Sequence, residues 1–367
     1  MKRVLFLTNY PSPYRVHFFD ELGKAMDVTV LFSDRAEDKT HRDAAWFVSG
    51  EGRFRKVQLT ARLAGRGKRN LCVDVIPWLK KDFDAIVVCG YSSPTAMLAI
   101  AYLKAKRIPF YMEVDGGLVR KDSRLKYLYK RLLVGSAKYW ISSGEHTTDY
   151  LVHYGARRED TFLYPFTSLR ERDILPRLPS LEEKQKLRRE LGMTEEKIVV
   201  YVGRFTEAKG MDALLEAAPS LERDTGVYFI GGEPSAAHVE FCENHGLKNV
   251  HFVGFQKKEE LEVFYKAADL LVLPTKSDVW GLVINEAMAC GLPVITTNRC
   301  VAGLELIRDG INGYLVPVDD LEALTEKIRA VLTADYRQMG AAALETIRPY
   351  TFENMAKAHV EILEGGR

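Results

Sequence analysis

Two carboxylates eight positions apart, Asp278 and Glu286, bracket a helix start in Pro274-Thr-Lys-Ser-Asp278-Val-Trp280-Gly281-Leu282-Val283-Ile-Asn-Glu286-Ala-Met-Ala-Cys-Gly291-Leu-Pro293. A helix N-terminus presents free backbone N–H groups and a partial positive charge, so the turn Trp280–Val283 is a natural seat for phosphate or sugar oxygens. Taken alone, Asp278 reads equally well as a helix cap and Glu286 as a solvated helix residue. A second constellation lies upstream. In Ile198-Val-Val-Tyr-Val-Gly203-Arg204-Phe-Thr-Glu-Ala-Lys209-Gly210, two cations five positions apart at the end of an apolar run can converge on a diphosphate.

The elements that must position these groups follow from the apolar runs. Leu270–Leu273 and Leu292–Ile295 flank the carboxylate segment, which reads strand, loop, helix, strand, with Gly281 opening and Gly291 closing the helix. Val227–Ile230, ending in Gly231-Gly232, and Val250–Val253, running into Gly254-Phe255-Gln256, are further strands whose ends bring backbone close to a base or ribose. The first half predicts strands at Arg3–Leu7, Val28–Phe32, Ala85–Cys89, Phe110–Val114 and Tyr139–Ser142, alternating with helices, which calls for a parallel sheet covered on both faces. In such a sheet the carboxyl edge faces the ligand, and Glu113-Val-Asp115-Gly116-Gly117 ends one of these strands. Tyr10-Pro-Ser-Pro-Tyr14-Arg15 leads from the first strand into an amphipathic helix near Val16–Leu22. Here Arg15 is either an anion ligand or a surface arginine at a helix start. Asp82-Phe-Asp84 has the spacing of a metal-binding DxD, but it directly precedes a buried strand, where acidic residues supply turn chemistry, and is not read as a metal site.

The ordered set Gly203-Arg204…Lys209-Gly210, Gly254-Phe255, Asp278-x7-Glu286 and Ala287-Met-Ala-Cys-Gly-Leu-Pro293 resembles the retaining glycosyltransferases of family 4, the glycosyl transferases group 1. The resemblance covers nearly the whole second half and is thinner in the first. It implies a GT-B fold, two facing Rossmann-like domains with parallel sheets and a donor cleft between them. It also implies a hexosyltransferase-type enzyme using a nucleotide-diphosphate sugar, UDP- or GDP-linked, with retention of configuration. On that resemblance Arg204 and Lys209 bind the pyrophosphate, Asp278, where the family usually has Glu, touches the transferred sugar, and Glu286 holds the ribose. Gly203, Gly232, Phe255, Gln256, Trp280, Gly281, Leu282 and Val283 complete the donor site. Asp115 stands where the family often has a histidine near the acceptor, with Tyr14, Arg15 and Gly116 on the acceptor side. Tyr14 and Arg15 replace the glycine pair that many members carry after the first strand. No cofactor and no metal are expected.

The outer bounds agree. The 367 residues suit two domains, with a proline-rich, aperiodic linker. The expected division is 1–165, a linker at 166–180, a second domain at 181–350 opening on the helix Leu181–Leu191, and a last helix at 351–367 crossing back to the first domain. Five scattered cysteines without metal spacing point to a reducing cytoplasm, and Met1–Leu7 reads as a first strand too short for a signal peptide. Residues 1–170 carry 29 Lys and Arg against 18 Asp and Glu, a balance of +11, and the remainder a balance of −9. An anionic partner for the first half follows, and a lipid surface is preferred to nucleic acid because the aromatic residues do not interleave with the basic ones. The most basic stretch, Leu118–Leu133, is expected to be a helix whose stripe Leu125, Leu128, Tyr129 and Leu132 enters the core while its basic face meets lipid headgroups. The expected acceptor is a saccharide, lipid-linked and destined for a surface polysaccharide or glycolipid. The alternatives are a nucleotide-sugar epimerase or hydrolase of the same fold, or, in another class, an anionic-polymer-binding protein.

Overall fold

The structure is a computed structural model, and it describes residues 1–34, 52–60 and 71–365. The chain divides into two units, Met1–Thr167 with Tyr350–Arg367, and Ser168–Pro349. The first holds a seven-stranded parallel sheet of β1 (Arg3–Thr8), β2 (Asp27–Phe32), β3 (Arg55–Gln58), β4 (Ala85–Cys89), β5 (Tyr111–Val114), β6 (Tyr139–Ser142) and β7 (Thr161–Leu163), in the order β3-β2-β1-β4-β5-β6-β7. The second holds six parallel strands, β8 (Lys197–Val202), β9 (Thr225–Ile230), β10 (Val250–Val253), β11 (Leu270–Leu273), β12 (Val294–Thr297) and β13 (Gly313–Val316), in the order β10-β9-β8-β11-β12-β13.

These strands are parallel because helices cover both faces. Val4 to Leu7 are all buried, as are Val199 to Val202, so the central strands show continuous apolar runs rather than alternation. Counted within its own unit, each sheet has the order 3-2-1-4-5-6, the first adding a seventh strand at one edge. The winding reverses between β1 and β4, and again between β8 and β11, and the loops leaving the carboxyl ends diverge there to open a crevice. The strands that the sequence reading did not identify are β3, β7 and β13, which are short and mostly polar or half-buried.

Local chemistry explains the helix limits. Pro13 occupies the first turn of Pro13–Leu22, so this helix begins earlier than its apolar periodicity suggests. Ser180 and Glu183 form a capping box at the start of Leu181–Leu191, and Gly192 ends it with φ 70°. Within it, Lys184 and Arg188 reach Asp269 at 2.9 and 2.6 Å, and Asp269 also accepts the Ile198 N–H at 2.9 Å, which ties the helix to β8. The last helix, Phe352–Glu364, belongs to the first unit. It buries Phe352, Met355 and His359, with the His359 ring 4.6 Å from Phe18.

One expectation is overturned. The basic stretch becomes helical only at Arg124, where Ser123 caps the N-terminus, and its apolar stripe is exposed, Leu125 at 81 %. The inward face is instead Tyr127, Lys130, Leu133 and Val134, with Tyr127 against Tyr154 at 5.7 Å. Two faces of this helix carry apolar residues, and periodicity alone selected the wrong one. On the basic face Lys126 and Lys130 share Asp122, at 2.9 and 2.8 Å, while Arg124 and Arg131 are exposed.

Candidate functional site

In the second unit the chemistry gathers where β8 and β11 diverge. Gly203 and Arg204 leave the end of β8, and a short 3₁₀ turn, Glu207–Lys209, follows. That turn is fastened to the loop after β11, since the Ala208 carbonyl accepts the Lys276 N–H at 3.0 Å and the Thr275 hydroxyl at 2.7 Å. Gly210 permits the approach: its φ is 67°, and a Cβ there would lie 1.9 Å from the Pro274 carbonyl oxygen. Lys209 is thereby delivered to Asp278, and the two form an ion pair. Arg204 is exposed and makes no ion pair among the described residues.

The loop carrying Asp278 is held from behind. Its N–H donates to the Arg299 carbonyl at 3.0 Å, and the Cys300 thiol donates to the Trp280 carbonyl at 2.9 Å. Burial pushes that thiol up to about 12, so it stays protonated and able to donate. Trp280 is buried, and its indole N–H donates to Asn285 at 2.8 Å. The side chain is thus spent on shaping the loop, which presents backbone to the crevice here. Gly281, at φ 111°, begins the helix Leu282–Ala289, and a Cβ there would strike the Cys300 sulfur at 2.6 Å. Gly232 and Gln256 lie just beyond β9 and β10 at the same sheet edge, and Phe255 beside them is 45 % exposed rather than in the core.

Glu286 is held separately from Asp278. Its carboxylate accepts from the Ser168 hydroxyl at 2.8 Å and from Tyr265 at 3.4 Å, and lines a small cavity with Leu169, Asp173, Lys258 and Cys290. Burial raises its pKa above the usual carboxylate range, while Ser168 and Lys258 pull the other way. Lys258 is itself anchored on Asp173 at 2.6 Å. The carboxylate therefore sits half-buried in a partly neutralised recess suited to accepting hydroxyl hydrogen bonds.

In the first unit the corresponding edge holds a closed cluster. Arg15 is 4 % exposed and reaches both Glu113 and, at 2.5 Å, Asp115. It is thus neither a surface arginine nor a free cation. His359 faces the other Glu113 oxygen at 3.3 Å, and Tyr164 donates to Asp115 at 2.9 Å. Tyr14 turns its ring edge-on to Phe166, 5.5 Å away, and burial raises its hydroxyl to about 12. A single guanidinium serves two carboxylates, and they divide it unequally. Burial pushes both up, but Arg15 and His359 hold Glu113 below the usual range, whereas Asp115, repelled by Glu113, is raised above it. Asp115 keeps some exposure at the sheet edge beside Gly116. Asp84, by contrast, accepts the Arg3 N–H at 2.7 Å, at the amino ends of β1 and β4, the edge opposite Asp115. Among the described residues no group of three or more His, Cys, Asp or Glu is placed to hold a metal.

The geometry can be set beside known proteins. Residues 183–346 match the glycosyl transferases group 1 family. The match lies wholly within the second unit. An uncharacterized glycosyltransferase of Methanocaldococcus jannaschii is 32 % identical over 192 residues, 50 % of this chain and 49 % of the relative, so the chain spans about half the length of the relatives it matches. The fold of the whole chain is that of the GT-B glycosyltransferases. Sucrose-phosphate synthase from Thermosynechococcus elongatus superposes with a TM-score of 0.76 at 20 % identity, over 100 % of this chain and 99 % of that one. HepE from Anabaena, in complex with UDP, gives 0.76 at 18 % identity, over 99 % and 100 %.

Within the second unit, sequence reading named Arg204, Lys209, Asp278 and Glu286 but missed Ser168 and Tyr265, which orient Glu286. Ser168 lay in the stretch read as linker and carried no signal. In the first unit it missed Tyr164 and His359 as partners of the acidic pair. Their separation from Asp115 and Glu113, 49 and 246 positions, hides the contacts from any local pattern.

Proposed function

We propose that the protein is a retaining glycosyltransferase that moves a sugar from a nucleotide-diphosphate donor, UDP- or GDP-linked, to a saccharide acceptor carried on a lipid at the cytoplasmic face of a membrane. The observation that carries this reading is the Lys209–Asp278 pair at the switch point of a group 1 domain, beside Arg204 and the start of the helix Leu282–Ala289. A diphosphate entering there exchanges with Asp278 for Lys209. The released Asp278 then accepts from hydroxyls of the sugar. Arg204, Lys209 and the N–H groups of the helix start neutralise the departing diphosphate, where stabilisation of developing charge lowers the barrier most. Glu286 accepts from the ribose in place of Ser168, and Phe255 offers a face to the base.

On the acceptor side, Asp115 combines exposure with a pKa raised by burial, which suits a group that accepts a hydrogen bond from the attacking hydroxyl. Arg15, Glu113 and Tyr164 fix its position. The likeness to proteins bound to UDP supports a nucleotide donor, and the cations present require no metal or cofactor in this scheme. Thermal melting with UDP-, GDP-, ADP- and TDP-sugars tests it, because a ligand at a hundredfold excess over its Kd adds about 2.7 kcal/mol to the folded state. A protein whose melting point none of them raises is not this enzyme. Transfer that needs an acceptor, found by product analysis, separates it from an epimerase.

A further inference from the structure

The loop after β9 carries a carboxylate that no contact within the second unit uses. β9 and β10 end in register, Ile230 beside Val253, so the segments 231–234 and 254–257 leave the sheet side by side. The first is fixed in place. The Gly231 N–H donates to the Val253 carbonyl at 3.0 Å, and a Cβ on Gly231 would lie 2.7 Å from the Gly203 carbonyl oxygen, which packs the loop against the turn after β8. Glu233 follows, held to extended backbone by Pro234. It does not cap the next helix, Ala236–Asn244, because Ser235 does so, its hydroxyl accepting the His238 N–H at 3.3 Å. Glu233 is exposed and makes no hydrogen bond or ion pair among the described residues. One of its carboxylate oxygens lies 3.2 Å from where a Cβ on Gly254 would stand, which puts the charge beside the backbone of the second segment.

We propose that Glu233 selects the nucleobase of the donor and that the base it selects is guanine. This rests on the donor site proposed above. Residues 254–257 run directly into the helix Lys258–Ala267, which supplies Lys258 and Tyr265 to the recess of Glu286. A nucleoside whose ribose meets Glu286 extends its base over that segment, where Phe255, 45 % exposed, offers a ring face and Glu233 stands at the edge. The base edge must then answer a group that only accepts, through two oxygens side by side. Guanine alone among the common bases presents two adjacent donors, N1–H and the 2-amino group, and so satisfies both. Uracil has one N–H between two carbonyls, so seating it on one carboxylate oxygen sets the other against a carbonyl oxygen. Adenine and cytosine each place the amino group beside a ring-nitrogen lone pair. A matched bidentate pair separates the right base from the wrong one by roughly ten- to hundredfold.

The test is calorimetric titration of the full chain with GDP, UDP, ADP and inosine diphosphate, which is GDP without the 2-amino group. The expected result is that GDP binds about tenfold or more tighter than UDP and ADP, with inosine diphosphate between them. Glu233→Ala should weaken GDP about tenfold, leave UDP unchanged and bring GDP and inosine diphosphate to one affinity. Because the side chain is exposed and unpaired, the melting point should not move. Wild type that binds UDP as tightly as GDP overturns the proposal, and so does a Glu233→Ala variant that keeps the preference for GDP over inosine diphosphate. Either result, obtained with nucleotide binding that Lys209→Ala weakens, removes this inference and leaves the donor site in place. Protein that binds none of the four nucleotides overturns the donor site and this inference together.

Discussion

The two units repeat one strand order and fill the equivalent place at their carboxyl edges in opposite ways. In the first, the residue delivered after the opening strand is Arg15, which is buried and shared between Glu113 and Asp115, with Tyr164 and His359 closing the shell. In the second, the opening strand is followed by an exposed Arg204 and by Lys209, whose pairing with Asp278 is partly open to solvent. Both places hold cations and carboxylates, but only the second has charge to spare for an incoming anion. Topology therefore prepares a crevice in each unit, and the loop sequences decide whether it is sealed by internal ion pairs or left for a ligand.

The sharpest way to break this contrast is to open the sealed cluster. Arg15→Ala leaves the buried Glu113 and the partly exposed Asp115 without the cation they share, and removing one partner of a buried ion pair costs about 3–5 kcal/mol. Thermal or urea unfolding should show that loss. If stability stays within about 1 kcal/mol of wild type, the cluster is not the sealed structural centre described. The pH dependence carries a sign. Glu113 is more acidic folded than unfolded, so its contribution is present above the unfolded value near ~4.3 and is lost as pH falls from there toward the lower folded value. Asp115 is raised and works in the opposite direction, disfavouring the folded state once ionised. Wild type should therefore lose stability in acid below about pH 4, and Arg15→Ala should lose much less over the same interval because the depression of Glu113 is gone.

In the open site the effect should fall on catalysis instead. Lys209→Ala removes the cation proposed to act on the leaving diphosphate, and kcat/KM should drop about hundredfold, near 2.7 kcal/mol, with the melting point little changed. A folded variant within a few-fold of wild type would show that the second unit's cations do not serve the leaving group. The pair of variants tests the comparison directly: Arg15→Ala should cost stability along with the positioning of Asp115, whereas Lys209→Ala should cost rate with stability kept.

How much of this was legible in the sequence follows the same division. The central strands, the loop-and-helix frame of the second unit and the group Arg204, Lys209, Asp278 could be read because their residues lie on short segments with strong periodicity and glycine punctuation. Gly210 and Gly281 stand where the backbone must adopt positive φ, which local sequence exposes. Contacts made by distant residues were not legible. His359 completes the first cluster from the last helix, and Ser168 reaches Glu286 across 118 positions. The stripe on Arg124–Val134 failed for a different reason, since periodicity marks an apolar face but does not say whether protein or solvent lies against it.

A smaller effect should separate the two carboxylates of the second unit. Glu286→Gln should weaken the free nucleoside diphosphate as much as the nucleotide sugar, whereas Asp278→Asn should spare the nucleotide and weaken only the sugar. Ser168→Ala, which removes one neutral hydrogen bond to Glu286, should change nucleotide affinity by no more than about 1 kcal/mol. Calorimetry that finds the same loss for both ligands in both carboxylate variants would end the division of labour.

The smallest effect expected is none. In enzymes that use a divalent ion at a diphosphate, the ion supplies positive charge to the leaving group, and removing it stops turnover. Here Arg204, Lys209 and the N-terminus of Leu282–Ala289 already place positive charge at the switch point where the diphosphate is proposed to sit. The acidic pair with metal-like spacing, Asp82 and Asp84, precedes β4 at the opposite edge of the other unit's sheet, and Asp84 is occupied in accepting the Arg3 N–H. Enzyme treated with EDTA should therefore turn over at the untreated rate, and added Mg²⁺ or Mn²⁺ should not raise it. Loss of activity on chelation, restored by one of these ions and abolished in Asp82→Asn with Asp84→Asn, would transfer the charge-neutralising role to the first unit and reverse the comparison between the two.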